Sequence, residues 1–282
     1  MGENERNRSE GWQHAKLSGH SNEEHVKQLL DSDKSYAKQL LKRIGCDAVK
    51  LTNTSIGGLH ETNVPSVLGR TTKSKTDLRI FLDNGKMVNI SIKKSLGGQV
   101  YLIRAGNFIE VFEKQFNKKI PNDVQRAIKL FWAEAEDAVQ IIKKYADKTD
   151  EKNFEQQIRH QSLNATTLQN YDKSLYDSLL NWFKSNSYEL AKLAFSMGAA
   201  INSSDWSEFV WYINLLGEDD TDEIFYIEDI CKIAEKYAKN ETYFGDKNGG
   251  TTIQLPFGFV QWHQHQMQFH HQYWKIYELY NR

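Results

Sequence analysis

Proline is scarce in this chain, with three in 282 residues. Glycine is modest at seventeen, and the two together exclude a collagen-like or Pro/Gly-rich disordered chain. Cysteine is nearly absent. Cys46 and Cys231 stand alone with no CxxC pair, which excludes a thiolate zinc site made by this chain alone and fits a reducing cytoplasm. No apolar run approaches the ~20 residues of a membrane-spanning helix. The polar start MGENERNRSEGWQH has no apolar stretch of the signal-peptide kind, so no membrane partner is expected. Neither charge sign is in excess, the formal net charge being −1. A coater of nucleic acid without sequence preference is usually strongly basic, so that class is disfavoured. A sequence-specific enzyme with its basic groups along one cleft remains open. No internal repeat is visible. Seven Trp, fourteen Phe and thirteen Tyr supply bulky core material, enough for one large domain or two small ones.

The stretch from Lys73 to Ile103, KSKTDLRIFLDNGKMVNISIKKSLGGQVYLI, organises the rest. Two β-rich runs, Leu78–Leu82 and Met87–Ile92, flank Asp83-Asn84-Gly85, a hairpin signal. A two-residue turn at Asn84-Gly85 would set Leu78 against Ser91 and Ile80 against Asn89, apolar against polar. A three-residue loop with Gly85 in the left-handed region sets Leu78 against Ile90 and Ile80 against Val88. Hydrophobic matching fixes register, since a one-residue slip turns every side chain to the other face. The three-residue loop is therefore predicted. Asp77 then lies opposite Ser91, with Lys93 two residues on along the same face. One hairpin face goes to a core, and the other gathers Asp77, Ser91 and Lys93 at the end far from the turn.

A carboxylate, an oxygen ligand and a lysine on one strand face suit metal-assisted phosphodiester cleavage. The carboxylate would hold Mg²⁺, which prefers hard oxygen ligands and keeps several waters. Such a metal polarises a phosphoryl oxygen and acidifies a bound water, while a lysine orients that water or offsets charge on the phosphorus. Asp, Ser and Lys are also common on ordinary exposed hairpins. Thr76-Asp77 followed by Ser91-Ile92-Lys93 resembles the PD-(D/E)xK nuclease motif. Thr76 stands where that motif has proline. Ser91 stands where an acid is usual, so one ligand charge is lost. Ser95-Leu96-Gly97-Gly98-Gln99 and Val100-Tyr101-Leu102-Ile103 resemble the segment after the catalytic lysine in short-site type II restriction endonucleases. There a Gly-Gln pair opens an apolar helix or strand beside the metal. Lys75-Thr76-Asp77 resembles the approach to their catalytic strand. The resemblance implies Asp77 as metal ligand, Ser91 as a neutral lining residue and Lys93 as the group that positions water. It gives Gln99 the support of the metal or its water. Another acid or a Gln nearby would complete the site.

Earlier in the chain, Ser21 with Glu24 reads as a capping box, opening a helix over Val26, Leu29, Leu30, Ala37, Leu40, Leu41 and Ile44, with Gly45 as its stop. Residues 1–11 are expected to be disordered. Gly19-His20-Ser21-Asn22-Glu23 resembles the first helix of PD-(D/E)xK nucleases, where an early Glu reaches the metal. Glu23 is the candidate outer ligand, although acids near a helix start are also favoured by the dipole. Residues 46–76 read as a short apolar run and a polar loop. Arg70, Lys73 and Lys75 there, and Arg104 further on, are candidate phosphate contacts; a solvated role is the alternative. Glu110 is a candidate for the acid missing at Ser91.

Residues 121–240 read as mostly helical, with Pro121 in a first turn. Helices are predicted around Ser174–Phe183, Tyr188–Met197, Trp206–Leu216 and Ile224–Tyr237. The acidic run Glu218 to Glu223 is expected to be a solvated loop and cap. From Gly249 the character changes. Thr251–Leu255 and Phe257–His271 are rich in β-formers with Gln and His, and a strand or hairpin is predicted. Gln261, His263, Gln264, His265, Gln266, Gln268, His270 and His271 offer donors and acceptors at short spacing, and Gln261, His263, Gln264, Gln266 and Gln268 are the candidate base contacts. Such groups read base edges in the major groove, which a β-ribbon can enter. A metal pair at His263 and His265 is the weaker rival, and an ordinary polar strand face is the other. In small restriction enzymes a C-terminal segment often supplies base contacts, which this stretch resembles.

These readings combine into an α+β chain with a restriction-endonuclease-like core, a central mixed β-sheet flanked by helices, and a mainly helical subdomain. The expected division is a catalytic core over 12–118, helices over 119–245 and a β segment for DNA recognition over 246–282. The expected activity is that of a type II restriction endonuclease cutting double-stranded DNA with Mg²⁺. A homodimer on a palindrome suits cutting both strands, while some small restriction enzymes act as monomers. The alternatives are a structure-specific repair nuclease and a non-enzymatic helical interaction protein.

Overall fold

The computed structural model describes residues 8–57, 63–217 and 221–282, with side chains from residue 19 onward. In chain order, α1 (Arg8–Ser32) and α2 (Lys34–Arg43) precede the strands β1 (Leu51–Ile56), β2 (Asn63–Pro65), β3 (Thr71–Lys73), β4 (Leu78–Leu82), β5 (Met87–Lys93) and β6 (Gly97–Ile103). Helices α3 (Ala105–Phe116), α4 (Asn122–Phe131), α5 (Ala138–Tyr145), α6 (Glu151–His160), α7 (Ala165–Tyr171), α8 (Lys173–Ser185) and α9 (Ser187–Lys192) follow. Then come β7 (Phe209–Ile213), β8 (Asp222–Tyr226), α10 (Ile227–Glu241), β9 (Tyr243–Phe244), β10 (Thr252–Leu255), β11 (Gly258–His263), β12 (Gln266–Gln272) and α11 (Tyr273–Tyr280).

The hairpin register is the one that hydrophobic matching requires. Leu78 pairs with Ile90 and Ile80 with Val88, and Gly85 turns the loop at φ 79°, a region that costs glycine little. The hairpin lies inside a mixed sheet of order β1-β4-β5-β7-β8, in which β5 and β7 run parallel and the other neighbours antiparallel. Leu78, Ile80, Leu82, Val88, Ile90 and Ile92 pack with Val26, Leu30, Leu40 and Leu41 of α1 and α2 in one core. Residues on the opposite face of β7, Val210 and Tyr212, join a larger core with α3 to α10. β5 is thus covered on both faces, which is why its middle residues are all buried.

A second sheet, antiparallel throughout, has the order β6-β12-β11-β10-β9. Its inner residues Tyr101, Ile103, Ile253, Val260, Met267 and Phe269 belong to the larger core. β11 and β12 are the hairpin predicted from the Gln/His stretch. Its tip is Gln264-His265, at φ 48° and 60°. Gly258 opens β11 where a Cβ would stand 2.0 Å from the His270 carbonyl oxygen, so no larger residue fits.

Several local expectations are corrected. Ser21 does not start a helix, because α1 already runs from Arg8. The working N-cap is Asp33, whose carboxylate accepts from the N–H groups of Ser35 and Tyr36 and opens α2. Trp206–Leu216 is not helical: FVWYI forms β7, the parallel partner of β5. A short run that is apolar on both faces has no period by which to tell helix from strand. The next helix starts only at Ile227, since Asp222–Tyr226 is strand β8. Within 46–76, taken as loop, Leu51–Ile56 pairs with β4. Of residues 1–11, expected to be disordered, 8–11 are the first turn of α1, and 1–7, like 218–220, lie outside the described residues.

Candidate active site

Asp77 precedes β4, and its N–H donates to the Ile90 carbonyl (3.0 Å). That bond turns its side chain onto the strand end of β5. The Ser91 hydroxyl donates to Asp77 Oδ2 (2.9 Å), and the Ile92 N–H donates to the same oxygen (2.7 Å). Lys93 Nζ donates to Ser91 Oγ (2.7 Å) and to the Ile92 carbonyl (3.2 Å), and stands 3.6 Å from Asp77 Oδ2. Ser91 therefore bridges the acid and the lysine. The three residues predicted to converge form one hydrogen-bonded cluster.

Glu23, on α1, is near enough to the cluster to feel the charges of Asp77 and Lys93. It is buried while Glu24 is exposed. Burial first, and then the charge of Asp77, push its carboxyl up to about 8. A buried carboxyl near a second acid holds its proton to higher pH. His20 Nδ1 lies 3.3 Å from Glu23 Oε2. The neighbouring Asn22 is fully buried. Its amide donates to the Ile213 carbonyl (2.9 Å) and accepts from the Leu215 N–H (2.8 Å), which pins α1 to the end of β7.

Among the described residues no group of three or more His, Cys, Asp or Glu could hold a metal. The acids present are a pair, Asp77 and Glu23. A pair suits Mg²⁺, which uses one or two carboxylates and completes its shell with water and phosphate. A buried, proton-retaining carboxyl beside a second acid is also the arrangement that a divalent cation would relieve. Glu110 does not join this cluster: it is on α3 and pairs with Lys114 (2.7 Å).

The candidate phosphate contacts spread out. Lys73 and Arg104 are exposed, the first on β3 and the second just before α3. Lys75 points inward. Its ammonium donates to the Val100 carbonyl (2.6 Å) and stands 4.3 Å from the centre of the Tyr101 ring. Burial and the nearby Lys93 push it down to about 7. Val100 is the extra residue of an irregularity where β6 pairs with β12, between Tyr101↔Phe269 and Gln99↔His270. The bulge leaves the Val100 carbonyl to accept from Lys75.

Gln99 makes its recorded side-chain bond within the second sheet, accepting from Gln268 Nε2 (2.7 Å). Gln261 and Gln268 are joined to each other (2.9 Å). His263 and Gln266 pair across the strands, and Gln264 is exposed at the tip. Sequence reasoning missed Tyr212, and it placed His271 among the base-reading groups of the C-terminal stretch, not beside Lys93. The Tyr212 hydroxyl and His271 Nδ1 lie 3.1 Å apart beside Lys93, the strand neighbour of Tyr212. Burial pushes the His271 imidazole down to about 3, so the ring is neutral there. Asn22 was legible in position, next to Glu23. Tyr212 was hidden in a run read as helix.

No protein-family model matches the chain, and no curated protein matches it. Among solved structures, restriction endonuclease MspI in complex with its cognate DNA is similar over 84% of this chain and 77% of that one. The TM-score is 0.47 and the sequence identity 10%. At that level of similarity no residue role is carried over from that enzyme to this chain.

Proposed function

We propose that the chain is a Mg²⁺-dependent endonuclease of the type II restriction kind, hydrolysing both strands of double-stranded DNA at a short sequence. The observation that carries this is the clustering of Asp77, Ser91 and Lys93 near the buried Glu23, from elements far apart in sequence. An ordinary surface hairpin has no reason to bring a helix carboxyl near that cluster at the cost of its ionisation.

Asp77 and Glu23 would hold the metal. When bound, it would polarise the phosphoryl oxygen and acidify a water. Lys93, held by the Ser91 hydroxyl and the Ile92 carbonyl, orients the attacking water and offsets negative charge on the pentavalent phosphorus. Ser91 takes the place of an acid without adding charge, so Glu23 provides the second carboxylate. The neutral His271 beside Tyr212 adds no positive charge next to Lys93. The polar face of β11 and β12 reads base edges, and the exposed Lys73 and Arg104 meet phosphates.

Asp77→Ala and Lys93→Ala test this directly. Both are expected to keep the fold and most DNA affinity while cleavage falls by at least about 100-fold, the scale seen when one charge-stabilising group is removed. Gel assays of cleavage and of binding check it. Wild-type rates in either variant would remove this cluster as the site.

A further inference from the structure

The outer face of the second sheet carries a chain of side-chain amides that runs in one direction. Gln261 Nε2 donates to Gln268 Oε1 (2.9 Å), and Gln268 Nε2 donates to Gln99 Oε1 (2.7 Å). Gln261 Nε2 also lies 3.3 Å from His270 Nε2. Three strands, β11, β12 and β6, contribute one amide each. The bulge at Val100 makes this possible. Tyr101 faces the core beside Phe269, and the extra residue returns Gln99 to the outer face opposite His270. His270 is stacked on Phe259 at 4.5 Å and 9°, which holds the ring that Gln261 meets. Gln268 is buried, at 8% exposure, and Gln99 is exposed.

An isolated Gln can turn its amide over and offer donor or acceptor to a partner. A chain couples the amides, so that one cannot turn over without the others. Gln261 Nε2 donates to Gln268 Oε1 and faces His270 Nε2 within the sheet, so its outward end is the acceptor Oε1. Gln99 Oε1 is occupied by Gln268, so its free end is the donor NH₂. In this arrangement the sheet shows an acceptor at Gln261 and donors at Gln99.

We propose that this amide chain is a base-reading device, with Gln99 as a specificity-determining residue that meets guanine in the major groove. Guanine is the base that shows two acceptors there, N7 and O6, which matches two free amide hydrogens. The Gln261 end meets an exocyclic amine, on cytosine or adenine. This rests on the DNA-cleaving reading above, and it moves Gln99 from metal support to recognition.

Gln99→Glu is the informative variant. It keeps the acceptor that Gln268 uses, so the chain stays intact, and it removes both free donors. Gln268→Met breaks the chain and frees both end amides to turn over. The readout is selection of bound duplexes from a random-sequence pool, with Ca²⁺ in place of Mg²⁺, followed by sequencing. The wild type is expected to enrich a short motif containing a guanine. In Gln99→Glu the preference for that guanine falls about 10- to 100-fold at one position. In Gln268→Met preference relaxes at two positions, one of them the same. An unchanged motif in Gln99→Glu, or no motif in the wild type, overturns the proposal. A wild type that enriches a motif and cleaves nothing sinks the nuclease reading and leaves this one. A wild type that cleaves with Mg²⁺ and enriches nothing does the reverse.

Discussion

Glu23 is held where its ionised form is costly, and that has a measurable sign. Its carboxyl titrates at about 8 in the fold against 4.5 for an unperturbed Glu. Below 4.5 both folded and unfolded chains carry the proton, and nothing is lost. Between 4.5 and about 8 the folded protein binds more protons than the unfolded chain, so stability falls as pH rises. Above about 8 the loss is complete and flat. In the absence of divalent metal, Glu23→Gln is expected to remove this slope. The variant then gains on the order of 2–4 kcal/mol relative to wild type between pH 5 and pH 8. Urea unfolding at the two pH values reads this out, and parallel slopes for the two proteins would contradict it. Restored stability of the wild type on adding Mg²⁺ is expected at the upper pH, since a cation binds the ionised pair.

At the scale of elements, the position of Glu23 depends on how α1 is fastened. Asn22 satisfies the Ile213 carbonyl and the Leu215 N–H at the end of β7. Asn22→Ala leaves both backbone groups without that partner, at a cost of about 1–3 kcal/mol. Cleavage is expected to fall more steeply than stability accounts for, because the next residue on the helix is the second carboxylate. A variant with lowered melting temperature and full activity would separate α1 from the chemistry. The catalytic hairpin was the most legible element in the sequence. Alternation, a glycine and one register that matched apolar residues left little choice, and Leu78↔Ile90 follows from it. The Gln/His hairpin was legible for the same reason of period. What stayed hidden is what depends on distant partners. FVWYI is buried on both faces because β5 lies beside it, a fact its own residues do not carry. The capping box at Ser21 is a local signal overridden by packing, since Asn22 and Glu23 face the sheet. Gln99 could not be placed by sequence, because a bulge one residue away decides which face it joins.

In the whole molecule, the sheet that carries Asp77, Ser91 and Lys93 and the sheet that carries the amide chain pack on one core. Residues 94–96 connect β5 to β6, Lys75 ties the approach to β4 to the Val100 carbonyl, and Tyr212 meets His271 across the sheets. Tyr212, Tyr101 and Phe269 share one core. If the first sheet cuts and the second reads, as proposed, the cut falls at a constant distance from the sequence read. The most direct measurement is digestion of a large mixed-sequence DNA by the purified protein, with Mg²⁺ and with EDTA, followed by sequencing of every end. Discrete fragments that need Mg²⁺, all ending at one fixed place relative to one short sequence, are the expected result. Intact DNA across salt and pH, or ends scattered without a shared sequence, would contradict it.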